Sequence, residues 1–345
     1  MKTGFIARLT LSCLTVALAV GALAPRATAQ DAATFFKDKT VKIVVGYGPG
    51  GGYDAYARML APHLSKAMGA AVIVENHPGA GGLAALNRVY SAEPDGLQMM
   101  IVNGTAGALS QLLEQPAVRY DLTKFGNLGI VSSSPWIWIV SPNSAIEKPD
   151  DVMKPGVKVS WAASGQIDGL GDGAALTCAA LKLDCKVVKG YEGSNAAALA
   201  VTRGEMDALY VSDTSANNYV KSGSAKAIAN MARVKSRFFP NLPTIFEAAK
   251  LTPDQEWWFD FRATLDDLGR ILVVPPGLPK ARLDYLQGIV AKVLNDPEIM
   301  AEGAKSQRYI DFQNAETTGK KIGAVLASIT PEQRKRVTEV ILKDD

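Results

Sequence analysis

The chain has 345 residues, 37 basic and 34 acidic side chains, 48% apolar residues and three cysteines, which suits a folded globule long enough for two lobes or domains. The small positive excess sits in residues 1–29, where Lys2, Arg8 and Arg26 have no acid beside them. The balanced remainder argues against nucleic acid or an anionic membrane surface as a partner, since either calls for a basic stripe.

Residues 1–8 are short and basic, residues 9–23 are apolar and uncharged, and Ala27-Thr-Ala29 supplies a small-x-small cleavage pattern. The apolar run is shorter than the roughly 20 residues of a membrane span. Residues 1–29 therefore read as an export signal cleaved near Ala29. A strand predicted at 41–45 leads into Gly46-Tyr-Gly-Pro-Gly-Gly-Gly-Tyr-Asp54, followed by a helix over 55–66. A second strand, 71–74, leads into Glu75-Asn-His-Pro-Gly-Ala-Gly-Gly82 and a helix over 83–92. A chain passing from strand through glycines into a helix leaves unpaired N–H groups in front of the positive end of the helix dipole. Two such turns together are a place to hold a carboxylate or phosphate.

The alternation continues. Predicted strands at 97–102, 137–140, 157–160, 185–188 and 208–211 each end in polar turns, and helices follow most of them. The pattern predicts an α/β fold with a largely parallel sheet covered by helices on both faces, with ligands collecting at the carboxyl ends of the strands. Residues 270–274 read as a strand stopped by prolines, and helical patterns over 280–294, 317–328 and from 331 to 342 read as packing elements. Cys178 and Cys185 stand at the end of a predicted helix and the start of a strand. In an oxidising compartment they are a possible local disulfide, with two buried thiols as the alternative.

These features resemble a known family. The first turn with Ala57-Arg58 in its helix, Val74-Glu-Asn-His-Pro-Gly-Ala-Gly-Gly82, Ala92-Glu-Pro-Asp-Gly96, Val201-Thr-Arg-Gly-Glu-Met-Asp207, and Leu242-Pro-Thr244 with Glu247 look like a solute-binding receptor of the tripartite tricarboxylate transporter class, the Bug type. The resemblance covers the whole mature chain. It implies a periplasmic, monomeric receptor with a two-lobed periplasmic-binding-protein fold of the type II Venus-flytrap kind. Residues 30–136 and 257–345 would form one lobe and 137–256 the other, with crossing segments near 136–141 and 255–262. The lobes would close on a small carboxylate and deliver it to membrane permease subunits, without cofactor, metal or covalent step.

On this reading the first lobe holds the carboxylate through Tyr47, Gly50, Gly51, Gly52, Tyr53, Asp54, Ala80, Gly81, Gly82 and Thr105, partly through water. Asp54 reads equally as a brace of its helix start, and Arg58 as a structural residue. In the second lobe Ser164, Gln166, Ser194 and Asn195 are the candidate donors and Asp213 an acceptor or hinge residue; each also suits a helix cap. Ile167 and Ala85 stand where the family has glycine. Most of the five tryptophans read as core or hinge packing. Trp161 precedes a ligand-side turn and is the one candidate for stacking on an aromatic acid.

The competing class is an exported dinucleotide-dependent oxidoreductase. Gly46, Gly48 and Gly51 fit the Rossmann spacing between strand and helix, and Glu75 falls where a ribose-binding acid belongs. Against it stand the export signal, Pro49 inside the turn and the second glycine turn. A P-loop ending and a serine-hydrolase elbow are both missing. The only histidines, His63 and His77, are too few for a usual zinc site.

Overall fold

The computed structural model describes residues 29–342; the expected signal, apart from Ala29, lies outside the described residues. Among the described residues ten strands form where short apolar runs meet glycine or polar breaks. They are β1 (Thr40–Val45), β2 (Ala71–Asn76), β3 (Gln98–Asn103), β4 (Gly126–Ser132), β5 (Trp136–Val140), β6 (Lys158–Ala162), β7 (Asp184–Val188), β8 (Ala208–Ser212), β9 (Lys226–Asn230) and β10 (Arg270–Val274).

They make two five-stranded sheets, ordered β2-β1-β3-β10-β4 and β7-β6-β8-β5-β9. In each sheet four strands share one direction. The exception is β10 in the first, antiparallel to β3 and β4, and β5 in the second, antiparallel to β8 and β9. Both reversed strands are the first the chain lays down after crossing from the other sheet. It crosses through Ser133–Pro135 and returns through the helix Pro253–Asp266, so each sheet receives its inserted strand from the opposite end.

β5, β8 and β10 are buried along their whole length. This explains the apolar runs 136–140, 208–211 and 271–274 within them, since helices cover both faces of each sheet. The helix Pro253–Asp266 packs on Leu170–Leu181 of the second sheet's side and on Gly104–Leu112 of the first. The last helix, Pro331–Ile341, also lies against Leu170–Leu181. Among the described residues no helix is long and apolar enough to cross a membrane.

A disulfide joins Cys178 to Cys185, tying the end of the helix Leu170–Leu181 to the edge strand β7. Closing so short a loop restricts the unfolded chain only modestly. Replacing both cysteines by serine is expected to cost about 2.5 kcal/mol in urea unfolding. A cost near zero would mean that this edge is held by packing alone.

Candidate functional site

The site begins where β1 stops. The helix Gly52–Met68 starts on Gly51 without any side-chain cap, so its first amides stay available to a ligand. Asp54, in the first turn of that helix, faces inward instead. It accepts from the Gly50 N–H at 2.9 Å, from Asn76 Nδ2 at 2.9 Å and from Arg58 Nε at 2.9 Å. Burial opposes its charge, but these donors, Arg58 first, outweigh it and hold the carboxyl below its usual range. Asp54 and Arg58 therefore shape the turn from behind.

The second turn runs through three successive residues in left-handed conformation, Ala80 (φ 47°), Gly81 (φ 65°) and Gly82 (φ 94°), before the helix Leu83–Tyr90. Tyr47 ties the two turns together, donating its hydroxyl to Gly81 O at 2.9 Å and receiving Asn103 Nδ2 at 3.0 Å. Its ring stacks on Tyr53, 5.0 Å between centroids.

Facing these turns is the loop after β6, organised by Asp168. Its carboxylate accepts from the N–H groups of Ser164, Gly165 and Gly171 at 2.7, 3.0 and 2.6 Å and from the Ser164 hydroxyl. Burial, with Asp172 close by, nevertheless pushes Asp168 up to about 6. The two halves touch directly. Gly48 N–H donates to Glu192 O and Asn103 Nδ2 to Asp168 O, both at 2.8 Å. At Gly81 a β-carbon would lie 2.7 Å from Asp168 Cβ and 2.8 Å from Ile167 O. Glycine is required there for closeness as well as for φ.

Cavities of different size lie between the halves. The outer one, about 270 Å³, is lined by Pro78–Gly81, Ser164 and Gly190–Glu192. The inner one, about 30 Å³, is lined by Gly51, Gly52, Tyr53, Trp136, Ser194, Ser212, Ser215 and Arg270. Arg270 is 3% exposed and enters from the start of β10.

The tripartite tricarboxylate transporter family receptor model matches residues 56–314. The chain belongs to this family. A protein from Pseudomonas sp. strain P51, named for its place in the tcbD-tcbE intergenic region, is 27% identical over 291 residues, 83% of this chain and 82% of its own. The solved periplasmic binding protein BugD shares the fold at a TM-score of 0.73, with 22% identity and coverage of 89% and 98% of the two chains. An R. palustris protein solved with adipate also reaches 0.73, at 18% identity and 88% and 97% coverage. This α/β pair of lobes is thus the family's binding-protein fold.

Within this receptor the residues singled out from the sequence divide into three groups. Tyr47, Gly51, Gly52, Tyr53 and Ser194 line the inner cavity, and Ala80, Gly81 and Ser164 the outer one. Gly50 and Asn195 oppose each other across the cleft, and Gly82 sits under the Tyr47 ring.

Asp54, Thr105, Gln166 and Asp213 line neither cavity. Thr105 Oγ1 donates to Leu265 O at 3.1 Å, and Gln166 Nε2 turns outward to Ile341 O at 2.8 Å. Asp213 accepts from Ser236 Oγ at 2.7 Å while its N–H donates to Pro135 O, beside a separate cavity of about 650 Å³ at the crossing segments. Trp161 is wholly buried against Trp138. It belongs to the core, which corrects its reading as a stacking surface.

Sequence reasoning missed Arg270, Ser212, Ser215 and Asn103. It also missed a buried ionic group behind the inner cavity. Arg262 Nε lies 3.2 Å from Asp172 Oδ2, Nη1 pairs with Asp266, and the guanidinium sits over the rings of Trp136 and Tyr210 at 4.9 and 5.3 Å. Burial outweighs Arg262 and pushes Asp266 up to about 7.

Asp168 and Asp266 are thus protonated more readily in the folded chain than in the unfolded one. Their stabilising contribution is complete below the ordinary carboxylate range and is lost as pH rises through about 6 and about 7. The melting temperature without added ligand is expected to fall between about pH 5.5 and about pH 8. A flat or rising profile over that window would contradict this electrostatic picture.

Proposed function

We propose that this chain is a periplasmic, monomeric receptor that captures a small carboxylate between two lobes, residues 30–136 with 257–345 and residues 137–256, and delivers it to a tripartite permease. The observation that carries the reading is the inner cavity, where the uncapped start of the helix Gly52–Met68 meets Ser194, Ser212 and Ser215 of the other half. Amides, hydroxyls and a guanidinium converge there, a donor set suited to an oxyanion. Adipate in the R. palustris relative supports a carboxylate. The chemistry is binding and closure, with ligand contacts to both halves favouring the closed form.

The oxidoreductase reading loses its space. A β-carbon on Gly46 would lie 2.9 Å from Gly82 Cα, and one on Gly48 3.2 Å from Glu192 O, so neighbouring backbone fills the turn where a pyrophosphate would lie. Glu75 pairs with Lys42 at 2.9 Å instead of facing a ribose.

Thermal-shift titration of residues 30–345 with mono-, di- and tricarboxylates and with NADH tests the proposal. Stabilisation that grows with the concentration of a carboxylate, by mass action, and no response to NADH are expected. A response to NADH alone would replace the receptor by an enzyme. Loss of uptake of the same acid from cells lacking this chain tests delivery.

A further inference from the structure

Arg270 is a buried cation that makes no ion pair with the described residues. Its Nη1 donates to Ser132 Oγ at 3.2 Å and its Nη2 to Ser212 Oγ at 3.3 Å, while Nε has no partner. The guanidinium lies 4.4 Å from the Tyr56 ring and 5.3 Å from that of Tyr53. Burial raises the Tyr53 phenol against the pull of Arg270, so this hydroxyl stays neutral. Among the described residues no carboxylate is in ion-pair contact with Arg270. Leaving a charge buried and unpaired is costly, so the arrangement calls for a partner from outside the chain. Gly52 brings the helix start close to this group: a β-carbon there would lie 3.3 Å from Arg270 Nη2 and 3.1 Å from Ser215 Oγ. The uncapped helix start, Ser212, Ser215 and the guanidinium therefore line one cavity.

The surroundings also limit the charge that can enter. The other buried guanidinium behind the cavity, Arg262, is already held by Asp172 and Asp266. Two carboxyl groups of the chain also stand near Arg270. Asp168 lines the same cavity, and Asp213 lies close enough to interact electrostatically with Arg270. A second carboxylate on the ligand would face Asp168, and Arg270 is the one cation among the described residues lining this cavity. The apolar part of the wall is Trp136, Leu170 and Val211, and the cavity, about 30 Å³ as it stands, must widen to take an apolar body against them.

We infer that this receptor takes a monocarboxylate, its charge paired with Arg270 beside the start of the helix Gly52–Met68 and its body against Trp136, Leu170 and Val211. This rests on the carboxylate-receptor reading and narrows it, making Arg270 the residue that sets ligand charge.

Calorimetric titration of the mature chain with isobutyrate, hexanoate and benzoate, against succinate and adipate, tests it. At least one monocarboxylate is expected to bind about tenfold more tightly than either dicarboxylate. Arg270→Met should weaken that ligand by roughly a hundredfold, as removal of one partner of a buried charge pair does, while the ligand-free protein melts at the same or a higher temperature. Arg270→Lys should retain part of the affinity, because a point charge replaces the two-pronged donor. If Arg270→Met does not fold, Arg270→Lys with Ser212→Ala carries the test, with a loss of about tenfold expected. Tighter binding of succinate or adipate, or affinity that Arg270 variants leave unchanged, would overturn the inference and leave the receptor standing. Silence towards every acid would overturn both.

Discussion

Replacing Arg262 by methionine is expected to destabilise the protein by about 3–5 kcal/mol, the range seen when one partner of a buried ionic group is removed. The side chain is 1% exposed and lies between Asp172 and Asp266, themselves almost wholly buried. Its Nη2 also donates to Gly169 O at 3.3 Å, at the start of the helix Leu170–Leu181. Methionine would fill part of the volume and leave two carboxyls without a cation. One of them, Asp266, already resists ionisation, so the loss should be larger at about pH 8 than at about pH 5.5, where protonation relieves part of the penalty. Urea unfolding at both pH values measures this. Because Arg262 joins the crossing helix Pro253–Asp266 to the second lobe, a cost below about 1 kcal/mol would mean that the crossing is held by apolar packing alone. Adding Asp172→Asn and Asp266→Asn to Arg262→Met should recover part of the loss, since the unpaired charges then disappear.

The largest effect on binding is expected at Gly81. Valine there would need a left-handed backbone that β-branched residues rarely adopt, and its β-carbon would meet Asp168 Cβ at 2.7 Å. Relief comes from the halves moving apart, not from a shift within either, because Asp168 is fixed by four donors from its own loop. Gly81→Val should therefore leave the circular dichroism spectrum unchanged and weaken the ligand by roughly a hundredfold or more, about 2.7 kcal/mol. Melting temperature and calorimetric affinity must be read together. Unchanged affinity in a folded variant would place the ligand elsewhere.

The parts of the fold that the sequence made legible are those whose signals are local. Glycines between an apolar run and a helix marked both turns, and β1, β2 and the helix Lys280–Leu294 follow their apolar patterns closely. β4 escaped notice because Gly126 and Gly129 break its apolar run. Gly129 is needed there at φ 136°, since a β-carbon would lie 2.6 Å from Phe312 Cε2, a contact made from far along the chain. β9 was hidden by its small alternating residues, Lys226-Ala-Ile-Ala-Asn230.

The reversed direction of β5 and β10 follows from where the chain crosses, which no strand records in its own residues. The site divides in the same way. Glycines that must turn could be recognised, whereas the direction of Gln166 depends on the last helix, which supplies the Ile341 carbonyl. Arg270 did leave a trace: a charged residue opening Ile-Leu-Val-Val274, where full burial of the strand makes a cation conspicuous. Its lack of an acid partner becomes visible only when both sheets are assembled.

The central claim is that a carboxylate draws the two lobes together. Small-angle X-ray scattering measures it directly, using the acid that raises the melting temperature most. The radius of gyration of the mature wild-type chain should fall on saturation, and that of Gly81→Val should stay at the larger value at the same concentration of acid. An acid that binds the wild-type chain tightly and leaves its radius of gyration unchanged would contradict closure as the way this receptor holds its ligand.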